Sequence, residues 1–441
     1  MKYAALGWLP LLIACAGAPT DASAPRAAPA VRESAALLAT SRVTPPQVMP
    51  ARYLRTLEYD PAGYSAERSA SGVSDLLLGD LLFHSPRVLG ERAQALAISC
   101  NTCHPNGAAH VELELGALSD RPGNVDLSNG FFRAASEDGI ANAVNVPSLR
   151  GCRYTGPYGH DGRTASLAEF MQGVVHAEFG GAPLSPQFSA ALLRYVQDLD
   201  FLPNRNLDVQ NQLTPHASAE ARRGAVLFAA PRAGFGAASC ASCHPPSSFF
   251  RDGRVHRVGS AHSPSPNALD GGYETPSLLG LAETAPYFHD GRFAHVADVV
   301  RWFNAEFSLA FSQDEERDLV AYVEAVGSVD RPRDERPLAQ NLDQVFAYVS
   351  LLTLRDSVIR GAVLDQIGSV LRQAPASARS RAARALRALE ALGSAKNPSR
   401  EAIAELRREL ARLAADWAGS VPPDYSMDVS SAQPGRARPA Q

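Results

Sequence analysis

Cys100-Asn101-Thr102-Cys103-His104 and Cys240-Ala241-Ser242-Cys243-His244 are the two stretches that decide the fold of this 441-residue chain. A Cys-x-x-Cys-His run is the attachment signature of c-type haem. Two thiols one helical turn apart reach the two vinyl groups of a porphyrin as thioethers, and the next imidazole swings under the iron. A zinc site would need both pairs close together to supply four ligands, whereas these lie far apart in the chain. A redox dithiol leaves the histidine after each pair unexplained. The spacing therefore predicts two covalently bound haem c groups. One is held by Cys100, Cys103 and His104 and the other by Cys240, Cys243 and His244, with His104 and His244 as the proximal iron ligands.

The surroundings of the two motifs repeat as well. Upstream, Gly79-Asp80-Leu81-Leu82-Phe83 parallels Gly224-Ala225-Val226-Leu227-Phe228. Downstream, Pro147-Ser148-Leu149 leads to Pro157-Tyr158-Gly159-His160-Asp161-Gly162-Arg163. Its counterpart is Pro276-Ser277-Leu278, leading to Pro286-Tyr287-Phe288-His289-Asp290-Gly291-Arg292. Each run opens a helix, from Ser166 and from Val296, and each module closes on an amphipathic helix carrying Tyr195-Val196 or Tyr322-Val323. An internal duplication of this kind predicts two similar units packed as a pair. The alternation needed for a large sheet is missing, so the fold class is mainly α: two tandem cytochrome c-like haem domains, 72–203 and 218–328, plus a C-terminal helical segment, 335–420. In that segment, pairs such as Glu405 with Arg408 and Glu409 with Arg412 predict solvated helix faces over a narrow apolar stripe. Residues 421–441 read as a disordered tail. Cys152 aligns with Leu281 and is expected to be a buried, inert thiol.

Composition sets outer limits. The chain is 45% hydrophobic and 20% charged, as for ordinary globular protein, and its net charge of -4 gives no electrostatic case for nucleic acid. Lys2 precedes an apolar stretch too short to span a bilayer, which reads as an export signal over residues 1–15. Leu12-Ile13-Ala14-Cys15 resembles a lipoprotein box, so the chain is expected to be periplasmic and lipid-anchored through Cys15. A soluble signal cut after Ala16-Gly17-Ala18 is the alternative. The Ala/Pro/Ser/Thr-rich stretch 16–50 reads as a flexible tether.

Tandem Cys-x-x-Cys-His modules, each with a Pro-Tyr-x-His-Asp-Gly-Arg loop, resemble the bacterial di-haem cytochrome c peroxidase and MauG family over about 72–327. The resemblance implies peroxidase-type oxidoreduction: hydrogen peroxide is reduced with electrons from a small donor protein, a cytochrome c or a cupredoxin. Two other readings stay open, a pure electron-transfer cytochrome and a MauG-like enzyme that oxidises a protein partner.

The face of each haem opposite its proximal histidine decides between these readings. The family pattern places Trp-Asp-Gly-Arg where this chain has His160-Asp161-Gly162-Arg163, and a glutamine where it has Phe170. A family glutamate that assists O–O cleavage corresponds to Glu178, and nearby His176 is a second acid–base or ligand candidate. Met171 is a remoter ligand candidate. Arg163 and Arg292 suit a haem propionate, because a guanidinium fork bonds both carboxylate oxygens. In the second module the family places a methionine, or in MauG a tyrosine, fourteen positions after the loop histidine; here that position is Phe303. The methionines are Met1, Met49, Met171 and Met427, so a His/Met second haem is not expected. The alternatives are an open iron facing Phe303 and Trp302, or a histidine such as His256 in the methionine's place.

Overall fold

The structure, a computed structural model, describes residues 75–259, 272–330 and, with short gaps, 347–418. The signal and tether, including Cys15, lie outside the described residues, as does the tail. Among the described residues the fold is mainly helical, with two short antiparallel hairpins.

In the first module, α1 (Asp75–His84) is buried along almost its whole length, because its sequence is leucine-rich on every face. It continues through α2 (Glu91–Ala95) to the motif helix α3 (Cys100–Cys103), then to α4 (Leu167–Gly173) and α5 (Pro186–Asp198). The second module repeats the plan with α6 (Ala219–Ala229), the motif helix α7 (Cys240–Cys243), α8 (Val296–Glu306) and α9 (Gln313–Gly327). In each module the first helix crosses the last, α1 on α5 and α6 on α9. Both motif helices open on the same capping box. Ser99 N–H donates to Thr102 Oγ1 and Ser239 N–H to Ser242 Oγ, each at 3.0 Å. One-turn helices are not stable alone, so satisfying their first donors is what fixes them.

Glycine makes the helix crossings possible. A Cβ on Gly79 would lie 2.0 Å from the carbonyl oxygen of Ala191, and one on Gly224 would lie 1.9 Å from that of Asp318. Alanine would gain ~1 kcal/mol of helix propensity over glycine at either position. Overpacking against rigid backbone costs about 1–3 kcal/mol, and here the helices themselves must separate, so the clash wins. Gly224→Ala is therefore expected to destabilise the protein by about 2 kcal/mol in urea unfolding. Gly173→Ala, at a position with nothing within 4 Å, should be neutral or slightly stabilising. Equal stability of both variants would refute the crossing argument.

The hairpins are β1 (Asn124–Val125) with β2 (Val144–Asn145), and β3 (Val255–His256) with β4 (Tyr273–Glu274). Each reaches across to the other module. Asn145 N–H donates to His289 O at 2.7 Å, and its equivalent Glu274 N–H donates to His160 O at 2.8 Å. The two modules thus clasp each other's His-Asp-Gly-Arg loops in a pseudo-twofold manner.

The C-terminal helices α10 (Ser357–Arg372), α11 (Arg379–Ser394) and α12 (Arg400–Ala418) pack in sequence. They do not form a separate bundle. Ile359, Val363, Ile367 and Val370 join the same hydrophobic core as Leu76, Leu81 and Tyr195 of the first module. Arg87 Nε pairs with Asp365 at 2.6 Å, and Gln366 Nε2 donates to His84 O at 2.7 Å. Glu405 pairs with Arg408 on an exposed face. Glu409 differs from the solvated face its sequence predicts: it is 5% exposed and held by both Arg384 and Arg412. Packing of α11 on α12 buries it, and the second arginine compensates the charge. No helix among the described residues is long and apolar enough to cross a membrane.

Candidate haem sites and the interface between them

The six attachment residues fall in matched geometry. Cys100, Cys103, Cys240 and Cys243 are free thiols, each partly buried at its motif helix. Burial pushes the Cys100 and Cys103 thiols up to about 12 and Cys240 up to about 11, so they stand as neutral thiols. His104 Nδ1 lies 2.9 Å from Pro147 O, and His244 Nδ1 lies 2.8 Å from Phe250 O. A carbonyl only accepts, so each Nδ1 carries the proton and each Nε2 keeps its lone pair. Burial pushes His104 down to about 4 against the pull of the Pro147 carbonyl, and it pushes His244 down as well. Two neutral imidazoles with Nε2 bare and Nδ1–H anchored to backbone are the form an iron ligand requires. The residues present fit haem c.

His176 and Glu178 both lie on a π-helical turn, Val174–Glu178, which continues α4. Such widened turns are frequent at functional sites. The aligned stretch of the second module, Asn304-Ala305-Glu306, stays within the regular helix α8. His176 is exposed, and its Nδ1 donates to Gly181 O at 2.9 Å. Asn304 Nδ2 makes a comparable tie to Phe311 O at 3.0 Å, so one duty of His176 is to hold the loop that follows. Glu178 accepts from Arg163 Nη2 at 3.1 Å. Its carboxyl is raised above its ordinary value by burial, with Arg163 pulling the other way. The two candidate side chains are therefore tied to different partners, Glu178 to the His-Asp-Gly-Arg loop and His176 to its own loop.

Both loop arginines are engaged by neighbouring carboxylates. Arg163 pairs with Asp161 at 3.0 Å and Glu178, and it lies 5.3 Å from the Phe170 ring. Arg292 grips both oxygens of Asp290. In each case the aspartate stands two residues before the arginine along a tight turn. Phe170, in the position of the family glutamine, stacks on Tyr158 at 6.3 Å. Met171 is a partly buried residue packed on the first core. Cys152 is buried, with its thiol pushed up to about 12 by desolvation.

The sequence gives less warning of the interface. Arg251, 5% exposed, reaches from the second module to Gly156 O at 2.8 Å and also pairs with Glu274. Tyr273 stacks face to face on His289 at 3.8 Å and 14°. His160 Nε2 donates to Asn145 O at 2.8 Å. Tyr273 Oη and Arg251 Nε are buried donors with no protein acceptor, the kind of group a buried propionate satisfies. The available signal was positional: Val144-Asn145 and Tyr273-Glu274 stand just ahead of the repeated Pro-Ser-Leu.

His256 lies beside the attachment site. Its Nε2 is 2.7 Å from Asp252 and 3.8 Å from Cys243 Sγ. Cys243, Asp252 and His256 bring their ligand atoms within 4.8 Å of one another, but haem attachment would consume the Cys243 thiol. Phe303, a residue of α8, packs among Phe235, Phe288, Trp302 and Phe307.

A further feature is the turn that supplies the acceptor for His244. Phe249 and Phe250 both have φ of +57°. Left-handed backbone costs a bulky L-residue about 1–2 kcal/mol. In the first module the matching position is Gly107, with φ +80°. Ser148 Oγ donates to its carbonyl, as Ser277 Oγ does to that of Phe249. Where the first module uses the residue that adopts this conformation freely, the second uses phenylalanine.

Residues 218–351 match the family model described as di-haem cytochrome c peroxidase. The gamma subunit of hydrazine synthase from Kuenenia stuttgartiensis is 24% identical, over 45% of this chain and 69% of that subunit. The methylamine utilization protein MauG of Methylorubrum extorquens is 32% identical, over 24% of this chain and 35% of MauG. A solved structure of Kuenenia stuttgartiensis hydrazine synthase covers 72% of this chain and 99% of the matched chain, at 19% identity and a TM-score of 0.43. The stretch matched by the di-haem cytochrome c peroxidase family model, residues 218–351, carries Cys240, Cys243 and His244 of the second module.

Proposed function

We propose that the protein binds two haem c groups covalently and acts as an exported, peroxidase-type oxidoreductase, reducing hydrogen peroxide with electrons from a small redox protein. The observation that carries this reading is the matched pair of motif helices, each presenting two free thiols and a histidine whose Nδ1–H is tied to backbone. When bound, haem would supply one-electron transfer and peroxide reduction.

The protein's own residues would do the rest. His104 and His244 would hold the irons, with Nδ1 anchored so that neither ring can rotate away. Glu178 would take a proton from the incoming peroxide and return it to the departing oxygen. Arg163 would hold that carboxylate in place. The reciprocal clasp of hairpins and loops would fix the distance between the two centres. Export and a lipid anchor at Cys15 belong to the same proposal; Cys15→Ser should release the protein from the membrane fraction, and wild-type protein found wholly in the soluble periplasm would count against the anchor.

Reduced protein titrated with hydrogen peroxide under anaerobic conditions should be reoxidised stoichiometrically. Spectra that do not change would instead favour a pure electron-transfer cytochrome. Glu178→Gln should slow the peroxide reaction by about 10²-fold or more, the usual scale for losing a positioned acid–base group. The carboxylate is the form that accepts the proton, and burial raises its pKa. The rate should therefore climb with pH through a value above the ordinary carboxylate range, and Glu178→Gln should abolish that limb. An unchanged profile would remove Glu178 from the mechanism.

A further inference from the structure

The two modules hold their histidines differently. In the first, the acceptor for Nδ1–H of His104 is Pro147 O, the start of the Pro-Ser-Leu run. In the second, the equivalent carbonyl belongs to Pro276, yet the 2.8 Å bond goes to Phe250 O, with Pro276 only a minor influence on His244. Phe250 presents that carbonyl because it and Phe249 adopt left-handed backbone, which glycine would take without strain.

Something outside the turn must hold it. The Phe249 ring stacks on Tyr154 at 4.6 Å and 18°, and it lies 5.9 Å from the Phe201 ring at 25°. Tyr154 and Phe201 follow the Pro-Ser-Leu run and the last helix of the first module. Tyr154 is itself fixed by the Arg153 guanidinium, 4.5 Å from its ring, and Arg153 pairs with Asp200. The same turn is tied from inside its own module by Ser277 Oγ to Phe249 O at 2.7 Å.

The geometry points to an inter-module positioning device: the Tyr154–Phe249 stack lets the first module hold the turn that presents Phe250 O to His244, and so sets the redox potential of the second haem. The inference rests on the haem reading of Cys240, Cys243 and His244. A strong hydrogen bond from Nδ1–H makes the imidazole a better donor, which favours oxidised iron and lowers the potential. Tyr154 is thus a positioning residue, acting through Phe249 and Phe250 without touching the ligand.

The test uses the full-length, haem-loaded protein. Denaturing mass analysis first counts the haems of each variant. In Tyr154→Ala, potentiometric titration should show one of two potentials rising while the other stays. The iron–histidine stretching frequency of that haem should fall in the resonance Raman spectrum of the reduced protein. Tyr154→Phe, which keeps the ring, should restore both values. Tyr154 is 39% exposed, so truncation is expected to be tolerated; should it yield no loaded protein, Tyr154→Leu carries the same test. Two haems with both potentials and the stretching frequency unchanged in the truncated variant would overturn the inference. Wild-type protein with fewer than two haems would overturn the haem reading instead.

Discussion

Replacing Cys100 and Cys103 together with alanine should halve the covalent haem content, leaving one group where the wild type is expected to carry two. Thioether bonds do not dissociate on denaturation, so intact-mass analysis counts attached groups directly. The prediction follows from the equivalence of the two motif helices. Ser99–Thr102 and Ser239–Ser242 cap them alike, and the histidine after each is anchored through Nδ1. Neither site borrows a thiol from the other. With both thiols gone, His104 could retain haem only by coordination, which denaturation breaks. Two haems surviving in the double variant would show that attachment does not use these cysteines. Loss of both would show that the modules are loaded interdependently, through the clasp between their hairpins and loops.

Much of the site was legible in the sequence because its chemistry is local. Four cysteines at fixed spacing fall on one-turn helices, each closed by a histidine, and each repeat of Pro-Tyr-x-His-Asp-Gly-Arg reads as a unit. The helical class was legible for the same reason, since burial of α1 and the stripes on α5 and α9 follow from near-neighbour pattern. What was not legible is long-range. Asn145 and Glu274 are ordinary polar residues in sequence, and only assembly makes them each the donor to the opposite loop. The C-terminal helices show good periodicity, but periodicity does not say which surface an apolar stripe meets. Their docking on α1, rather than on one another alone, comes from the core that Ile359, Val363 and Ile367 share with Leu76 and Leu81, with Arg87–Asp365 and Gln366–His84 fixing the register. Phe249 and Phe250 carry no signal at all, because a left-handed turn is normally announced by glycine or asparagine.

The same distinction explains the loop arginines. Sequence pattern alone does not say what Arg163 and Arg292 meet, while the turn geometry pairs each with the aspartate two residues before it. The buried donors at the interface come from elsewhere, Tyr273 and Arg251. The loop's role is thus to position: Arg163 carries its hold from Asp161 on to Glu178, joining the loop to the π-helical turn in one ion-pair chain.

Phe303→Met should switch the spin state of a haem bound at Cys240, Cys243 and His244. The sequence puts no methionine in the second module, and the structure surrounds Phe303 with Phe235, Phe288, Trp302 and Phe307. Hydrocarbon rings offer iron no lone pair. His256 lies against Cys243, and its Nε2 donates to Asp252, on the attachment side of the site. With an open site facing Phe303 the second haem should be high-spin when oxidised, and with His256 as ligand it should be low-spin. Methionine is flexible enough to fill irregular space, and the exchange should cost at most ~1–2 kcal/mol of stability. If its sulfur reaches the iron, the oxidised spectrum should turn low-spin and gain a methionine–iron charge-transfer band. The potential should rise, because thioether ligation favours reduced iron. An internal ligand bound in nine molecules of ten leaves a tenth of the sites open, so the apparent affinity of this haem for added cyanide should fall about tenfold. Two results would sink the argument: a methionine–iron band already present in the wild type, or a Phe303→Met variant with two haems and an unaltered spectrum.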